Sequence, residues 1–165
     1  MNIAVVGLGF VGLSLSSVLA SKNYNVVGID IDNQKCSDIR NGVLSLFEPD
    51  LENTLRIGLK KKLTISDNFS LIKNCDMIFV TVGTPQTPLG AIELSMIKKA
   101  TTTIGQIIRK SKKNPIIFIK STVVPGTAQN VILPILEKKS GKKANRGFGI
   151  ISNPEFLQES NAIRD

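Results

Sequence analysis

Short apolar runs alternate with longer mixed runs along the chain, and glycine or proline punctuates most junctions. "NIAVVG", "NVVGID", "KLTISD", "DMIFVTVGTP", "NPIIFIKST" and "GFGIISNPE" predict six strands. They read as apolar along their whole length, the pattern of strands covered on both faces. Between them, "VGLSLSSVLASKN" carries Val11, Leu15, Val18 and Leu19 at helical spacing. "NQKCSDIRNG" predicts a helix with Asp32 or Asn33 near its cap and Gly42 just past its end. "FSLIKNC" predicts a short helix, "IELSMIKKATTTIGQIIRK" the longest one, and "GTAQNVILPILEKKSG" another. Strand–helix alternation implies parallel pairing through right-handed crossovers. The expected fold is α/β: a doubly wound, mostly parallel six-stranded sheet with helices on both faces, one domain over residues 1–165.

Composition narrows the class. A 165-residue chain with 42% hydrophobic residues can bury a core of its own. No stretch approaches the ~18 apolar residues of a membrane helix. The opening "MNIAVVGLGFVG" lacks the basic leader of a signal peptide and reads as a buried strand, so a cytoplasmic location without membrane contact is expected. Two cysteines, Cys36 and Cys75, with no histidine, argue against a disulfide scaffold and against a metal site. The formal charge of +8 raises a nucleic-acid reading. The lysines, however, cluster at Lys60–Lys62, Lys110 to Lys113 and Lys138 to Lys143, at the ends of helix-like segments where cations complement the helix dipole. Aromatics are not interleaved with them as a stacking platform requires, so no nucleic-acid partner is expected.

The candidate chemistry begins in the first turn. Gly7, Gly9 and Gly12 form G-x-G-x-x-G between a strand and a helix, and Asp30 ends the next strand 18 residues after Gly12. Gly7 permits the tight turn, Gly9 lets a pyrophosphate approach the backbone, and Gly12 lets the helix sit close to the sheet. The helix opening at Phe10 and Val11 offers free N–H groups and a partial positive charge to phosphate. Asp30 can accept hydrogen bonds from both ribose hydroxyls and would repel a 2′-phosphate, and no arginine follows it. NAD, not NADP, is the expected cofactor.

Ligands of such sheets gather at the carboxyl ends of the strands. There the fourth strand ends in Gly83, Thr84 and Pro85, the fifth in Lys120, Ser121 and Thr122 with Pro125 and Gly126, and the sixth in "NPEFLQES". Glu155 and Glu159, four apart, would share one face of a helix. Taken in order, "GLGFVG", "GIDID" with Lys35 after it, "FEPDL" at 47–51, "VGTP", "KSTVVPGT" and "NPEFLQE" resemble the UDP-glucose/GDP-mannose dehydrogenase family over the whole chain.

The resemblance implies oxidation of the C6 alcohol of a nucleotide sugar to a carboxylate, with two NAD per turnover. A cysteine carries the sugar as thiohemiacetal and thioester before water releases the acid. It implies that Gly7, Gly9, Phe10, Val11, Gly12, Asp30, Lys35, Gly83, Thr84, Pro85, Ser121, Thr122 and Glu159 contact the cofactor. Thr122 would hold the catalytic water or alkoxide, Glu155 would be the acid/base, and Glu159 would lie near both cofactor and sugar. Glu155, Phe156, Leu157 and Glu159 would form the substrate side. "FEPDL" would lead into a short helix flanking the cofactor cleft.

Two departures, Gln158 with Glu159–Ser160 in place of Arg with Glu-Gly, and Glu93 at a helix start rather than an acid in the turn, bear on substrate preference. The family's nucleophilic cysteine segment does not occur within these residues, and Cys36 and Cys75 read as buried packing. The chain is therefore expected to be an N-terminal NAD-binding domain that binds NAD without turnover, its central helix, substrate domain and homodimer contacts lying elsewhere in a full-length enzyme. Two alternatives stay open: a β-hydroxyacid dehydrogenase domain and a free-standing NAD- or nucleotide-sensing module.

Overall fold

The computed structural model describes residues 1–158 and 160–163. Six strands form one sheet: β1 (Asn2–Val6), β2 (Asn25–Ile29), β3 (Leu63–Ser66), β4 (Met77–Val80), β5 (Ile116–Ile119) and β6 (Gly149–Ser152). Every neighbouring pair is parallel and the order is β3-β2-β1-β4-β5-β6. The order reverses between β1 and β4, which opens a crevice at their carboxyl ends.

The helices are α1 (Phe10–Ser21), α2 (Asn33–Arg40), α3 (Leu51–Lys61), α4 (Ser95–Arg109) and α5 (Leu133–Ser140), with a 3-10 turn at Phe69–Asn74. Asp32 caps α2 by accepting the Lys35 N–H at 3.0 Å. Glu93 accepts the Ser95 N–H at 2.7 Å at the start of α4. Before α5 the chain makes a wide turn at Ala128–Ile132, where the Leu133 N–H bonds the Ala128 carbonyl. Pro134, at the opening of α5, has no N–H to give. The lysine runs fall where the dipole favours them: Lys60 and Lys61 in the last turn of α3, Lys110 capping α4, Lys138 and Lys139 ending α5. Among the described residues no helix is long and apolar enough to cross a membrane.

Side-chain alternation sorts the strands onto two cores. Ala4, Val6, Ile29, Ile78, Val80, Ile117 and Ile119 meet α4 and α5 through Ile97, Ile104, Ile108 and Leu136. Ile3, Val5, Val26, Leu63 and Ile65 meet α1, α2 and α3 through Leu13, Ala20, Cys36, Ile39, Leu51 and Leu55. The strands are not all covered on both faces. On edge strand β3, Thr64 is exposed between buried Leu63 and Ile65, and Ile116 and Ile151 on β5 and β6 are also exposed.

The helix expected from the spacing of Val11, Leu15, Val18 and Leu19 is α1; those four are half-buried, and its buried residues are Gly12, Leu13, Ser14, Ser16, Ser17 and Ala20. Small residues win because α1 lies against α3, where Ala20 would stand 3.2 Å from a Cβ on Gly58. The buried hydroxyls of Ser16 and Ser17 donate to the carbonyls of Gly12 and Leu13 at 2.6 and 2.8 Å, so their burial leaves no unmet donor. A further correction is at the C-terminal end: residues 153–158 form neither helix nor strand, so no helix begins at Glu155.

Candidate functional site

The first turn is built by contact with β4. Gly7 has φ +100°, and a Cβ there would stand 2.9 Å from the backbone of Val82, so only glycine fits. A Cβ on Gly12 would fall 1.8 Å from the Gly7 carbonyl oxygen and 2.6 Å from Thr81 Oγ1. Thr81 Oγ1 donates to the Gly7 and Val6 carbonyls at 2.7 and 3.0 Å and ties β4 to the turn. No motif pointed to Thr81; the one trace in the sequence is a hydroxyl inside the apolar run "DMIFVTVG".

Gly9 is different. It is exposed, caps α1 without any side-chain hydrogen bond, and a Cβ there would meet nothing within 4 Å. The helix N-terminus, at the backbone of Phe10 and Val11, therefore faces open space on its positive end. That is the fit a pyrophosphate requires.

Asp30 follows β2 and points to this turn rather than into the core. Its Oδ2 accepts the Leu8 N–H at 2.8 Å and Lys35 Nζ at 3.1 Å, while Oδ1 accepts the Asp32 N–H at 3.1 Å. A carboxylate offers about four lone-pair sites, so one acceptor position remains for a ribose hydroxyl, and Lys35 adds a donor beside it. Asp30 is thus engaged in shaping the turn, with three of its acceptor positions taken. Ile31, immediately after, is exposed and forms an apolar step at the same edge.

Across the crevice the ends of β4 and β5 are joined. Thr84 Oγ1 donates to the Thr122 carbonyl at 2.6 Å, and Ser121 Oγ donates to the Val82 carbonyl at 2.6 Å. Gly83, Pro85 and Thr122 are exposed beside them, while Ser121 is buried. From β6, the Asn153 N–H bonds the Ile119 carbonyl at 2.9 Å and extends the ladder by one residue. Glu155 then turns back towards β5. Its Oε2 stands 4.0 Å from Lys120 Nζ, is buried, and has no hydrogen-bond partner among the described residues. Its Oε1 accepts the N–H of Leu157. Lys120 was visible in "KSTVVPGT" without an assigned role; among the described residues it is the cation paired with Glu155.

Phe156 is 84% exposed and Leu157 half-buried. Glu159 lies outside the described residues. Among the described residues, the exposed Leu89, Phe156 and Ile31 occupy loops that follow strands, and the exposed Phe47 lies in the connection between α2 and α3. Cys36 and Cys75 do not join the site. Both are buried, and burial raises both thiol pKa values, that of Cys75 to about 11.

The family model for the UDP-glucose/GDP-mannose dehydrogenase family, NAD binding domain, matches residues 1–165. GDP-mannose 6-dehydrogenase of Pseudomonas syringae pv. tomato is 42% identical over the whole chain, which spans 38% of that relative. UDP-glucose 6-dehydrogenase TuaD of Bacillus subtilis is 38% identical over 99% of the chain, which spans 35% of that relative. Among solved structures, GDP-mannose dehydrogenase from Pseudomonas aeruginosa, in a ternary complex, superimposes over the full chain and 38% of its own length, with a TM-score of 0.96 at 37% identity. The UDP-glucose dehydrogenase of Pyrobaculum islandicum gives 0.92 at 31% identity, over 99% of this chain and 38% of its own. The chain thus spans a little over a third of the relatives it matches. It belongs to the UDP-glucose/GDP-mannose dehydrogenase family, as that family's NAD binding domain.

Proposed function

We propose that this domain seats NAD for the oxidation of a nucleotide sugar's C6 alcohol to a carboxylate, in a longer protein that supplies the sugar pocket and the cysteine nucleophile. The observation that carries the reading is Asp30, anchored on the Leu8 N–H and flanked by Lys35, beside an uncapped helix end. NAD, when bound, supplies the hydride acceptor. Gly9, Phe10 and Val11 give the pyrophosphate an approach to the helix N-terminus. Asp30 and Lys35 fix the adenosine ribose, and the negative charge of Asp30 opposes a 2′-phosphate. Gly83, Thr84, Pro85 and Ser121 shape the opposite wall.

Thr122 and Glu155 act at the sugar end. The Thr122 hydroxyl, exposed beside the crevice, holds the oxygen nucleophile, and Glu155 accepts its proton as the acyl group is released. Lys120 keeps a positive charge beside Glu155 while it does so. Glu159 completes the same loop. Phe156 and Leu157 face the sugar, and the exposed side chains of Phe47, Leu89 and Phe156 are covered by the remainder of the longer chain. That protein works in the cytoplasm as a homodimer on substrates of the GDP-mannose, UDP-glucose or UDP-N-acetylmannosamine type.

Calorimetric titration of this chain with NAD and NADP tests the seat. Saturable NAD binding with no detectable NADP binding is expected, together with no NADH formation from any of those sugars by this chain alone. Equal affinity for the two cofactors, or turnover, would overturn the reading.

A further inference from the structure

Glu48 is a carboxylate buried to 5% exposure in the connection between α2 and α3. Its Oε2 accepts the N–H of Ser160 at 2.8 Å, and its Oε1 accepts the N–H of Ala162 at 2.9 Å. The partners are 112 and 114 residues away along the chain, past the end of β6. We propose that Glu48 is a positioning residue that clamps the β6 loop across the carboxyl ends of the strands and so fixes Glu155; this rests on the function proposed above.

The geometry favours a clamp over incidental surface contact. Both oxygens are used, each on a backbone donor, and charge-assisted bonds to N–H groups are about twice as strong as neutral ones. Ser160 is held at φ +72°, a left-handed conformation that a serine rarely adopts without such restraint. Ala162 is 5% exposed, and Ile163 packs on the core formed with α1 and α3.

The loop is thus pinned at two places. At one end the Asn153 N–H bonds the Ile119 carbonyl on β5. At the other, Glu48 holds Ser160 and Ala162 on the α1/α3 side of the sheet. Glu155 lies between, within reach of Lys120. Without the two Glu48 bonds, the far end of the loop rests on the packing of Ala162 and Ile163, and the Glu155 carboxylate is freer to leave Lys120. The cofactor seat at Gly7, Gly9 and Asp30 shares no hydrogen bond with the clamp among the described residues.

The variants Glu48→Gln and Glu48→Ala test this in two ways. In this chain, amide hydrogen exchange followed by NMR should show Ser160 and Ala162 losing protection at least about tenfold in Glu48→Ala, while β1 and β4 amides are unchanged. Glu48→Gln, which keeps the shape and one carbonyl acceptor, should release one of the two amides. In the longer protein carrying this domain, kcat should fall about 100-fold, as a misplacement of about 1 Å does, with the Kd for NAD within about twofold. Unchanged exchange at both amides, or unchanged kcat, sinks the clamp. Loss of kcat and NAD affinity together would also sink it, since that would mark Glu48 as a general structural residue. Absence of NADH production by the unsubstituted longer protein on every nucleotide sugar would instead refute the proposed function, leaving the exchange result to decide on the clamp alone.

Discussion

Asp30 and Leu8 are joined by a hydrogen bond of 2.8 Å from the Leu8 N–H to Asp30 Oδ2. The residue proposed to hold the adenosine ribose therefore also holds the glycine turn that faces the phosphates. Asp30→Ala removes a charged acceptor from both, so NAD affinity should fall by about 1.5–3 kcal/mol, about 10- to 150-fold. Asp30→Asn keeps the shape and one oxygen acceptor and should lose less. Calorimetric titration of the two variants checks this; unaltered affinity in Asp30→Ala would remove the residue from the seat.

Gly9 and Gly12 should separate binding from folding. At Gly9 a methyl group meets nothing of the protein within 4 Å, and the backbone φ of −76° suits any residue. Gly9→Ala should keep its thermal midpoint and lose NAD affinity, because its methyl group occupies the approach of the pyrophosphate. At Gly12 the same methyl would overlap the Gly7 carbonyl. Gly12→Ala should lower stability by about 3 kcal/mol or more, since backbone must move to make room. Differential scanning calorimetry of both variants, with and without NAD, distinguishes the two effects.

How much of this was legible follows from the range of each interaction. The glycine turn, Asp30 and the end of each strand are local patterns, and their chemistry could be read from neighbouring residues. The buried face of α1 could not, because Ser16 and Ser17 look polar until their hydroxyls are seen bonded one turn back. The spacing of Glu155 and Glu159 suggested a helix, yet Glu155 bonds the Leu157 N–H with its own side chain, a local competitor of helical bonding. The Glu48 clamp joins residues more than a hundred apart, and "FEPDL" carries no trace of its partner. Helix α3 was legible only as a family feature, although Leu51, Leu55 and Gly58 supply its buried face.

The two cysteines should be inert in the folded chain. Burial and the neighbouring Asp76 push the Cys75 thiol to about 11, and Cys36 is raised by burial despite its contact with the Asp30 carbonyl. The thiolate is the reactive form. A disulfide reagent at pH 8 should therefore label neither cysteine in the native chain and both in denaturant. Rapid native labelling would contradict the packing role.

Asp76 offers a pH test. It accepts hydrogen bonds from Lys113 Nζ and from the Asn2 N–H, and these hold its carboxyl below the usual range. A lowered folded-state pKa stabilises above the unfolded value and is lost as pH falls through the folded one. The pair is more than a third exposed, so solvent screening limits its worth to about 0.5–1 kcal/mol. Asp76→Asn should be less stable than the parent by that amount at pH 7. The difference should shrink below about pH 4, where the unfolded carboxyl gains its proton, and vanish once the folded one does. Urea unfolding across that range measures it, and a constant difference would show the charge to be irrelevant.

Lys120 and Glu155 carry the last test. Their nearest atoms are 4.0 Å apart, and their side chains are only 14% and 17% exposed. Glu155 Oε2 has no hydrogen-bond partner among the described residues, so the ammonium is what offsets its burial. Lys120→Met should then cost more than the packing it preserves, because it strands a carboxylate away from water. In Glu155→Gln the charge is gone, and adding Lys120→Met should cost much less. A double-mutant cycle by urea unfolding should give a coupling of about 1 kcal/mol or more. Strictly additive losses would mean the two charges do not sense each other, and Lys120 would have no part in readying Glu155.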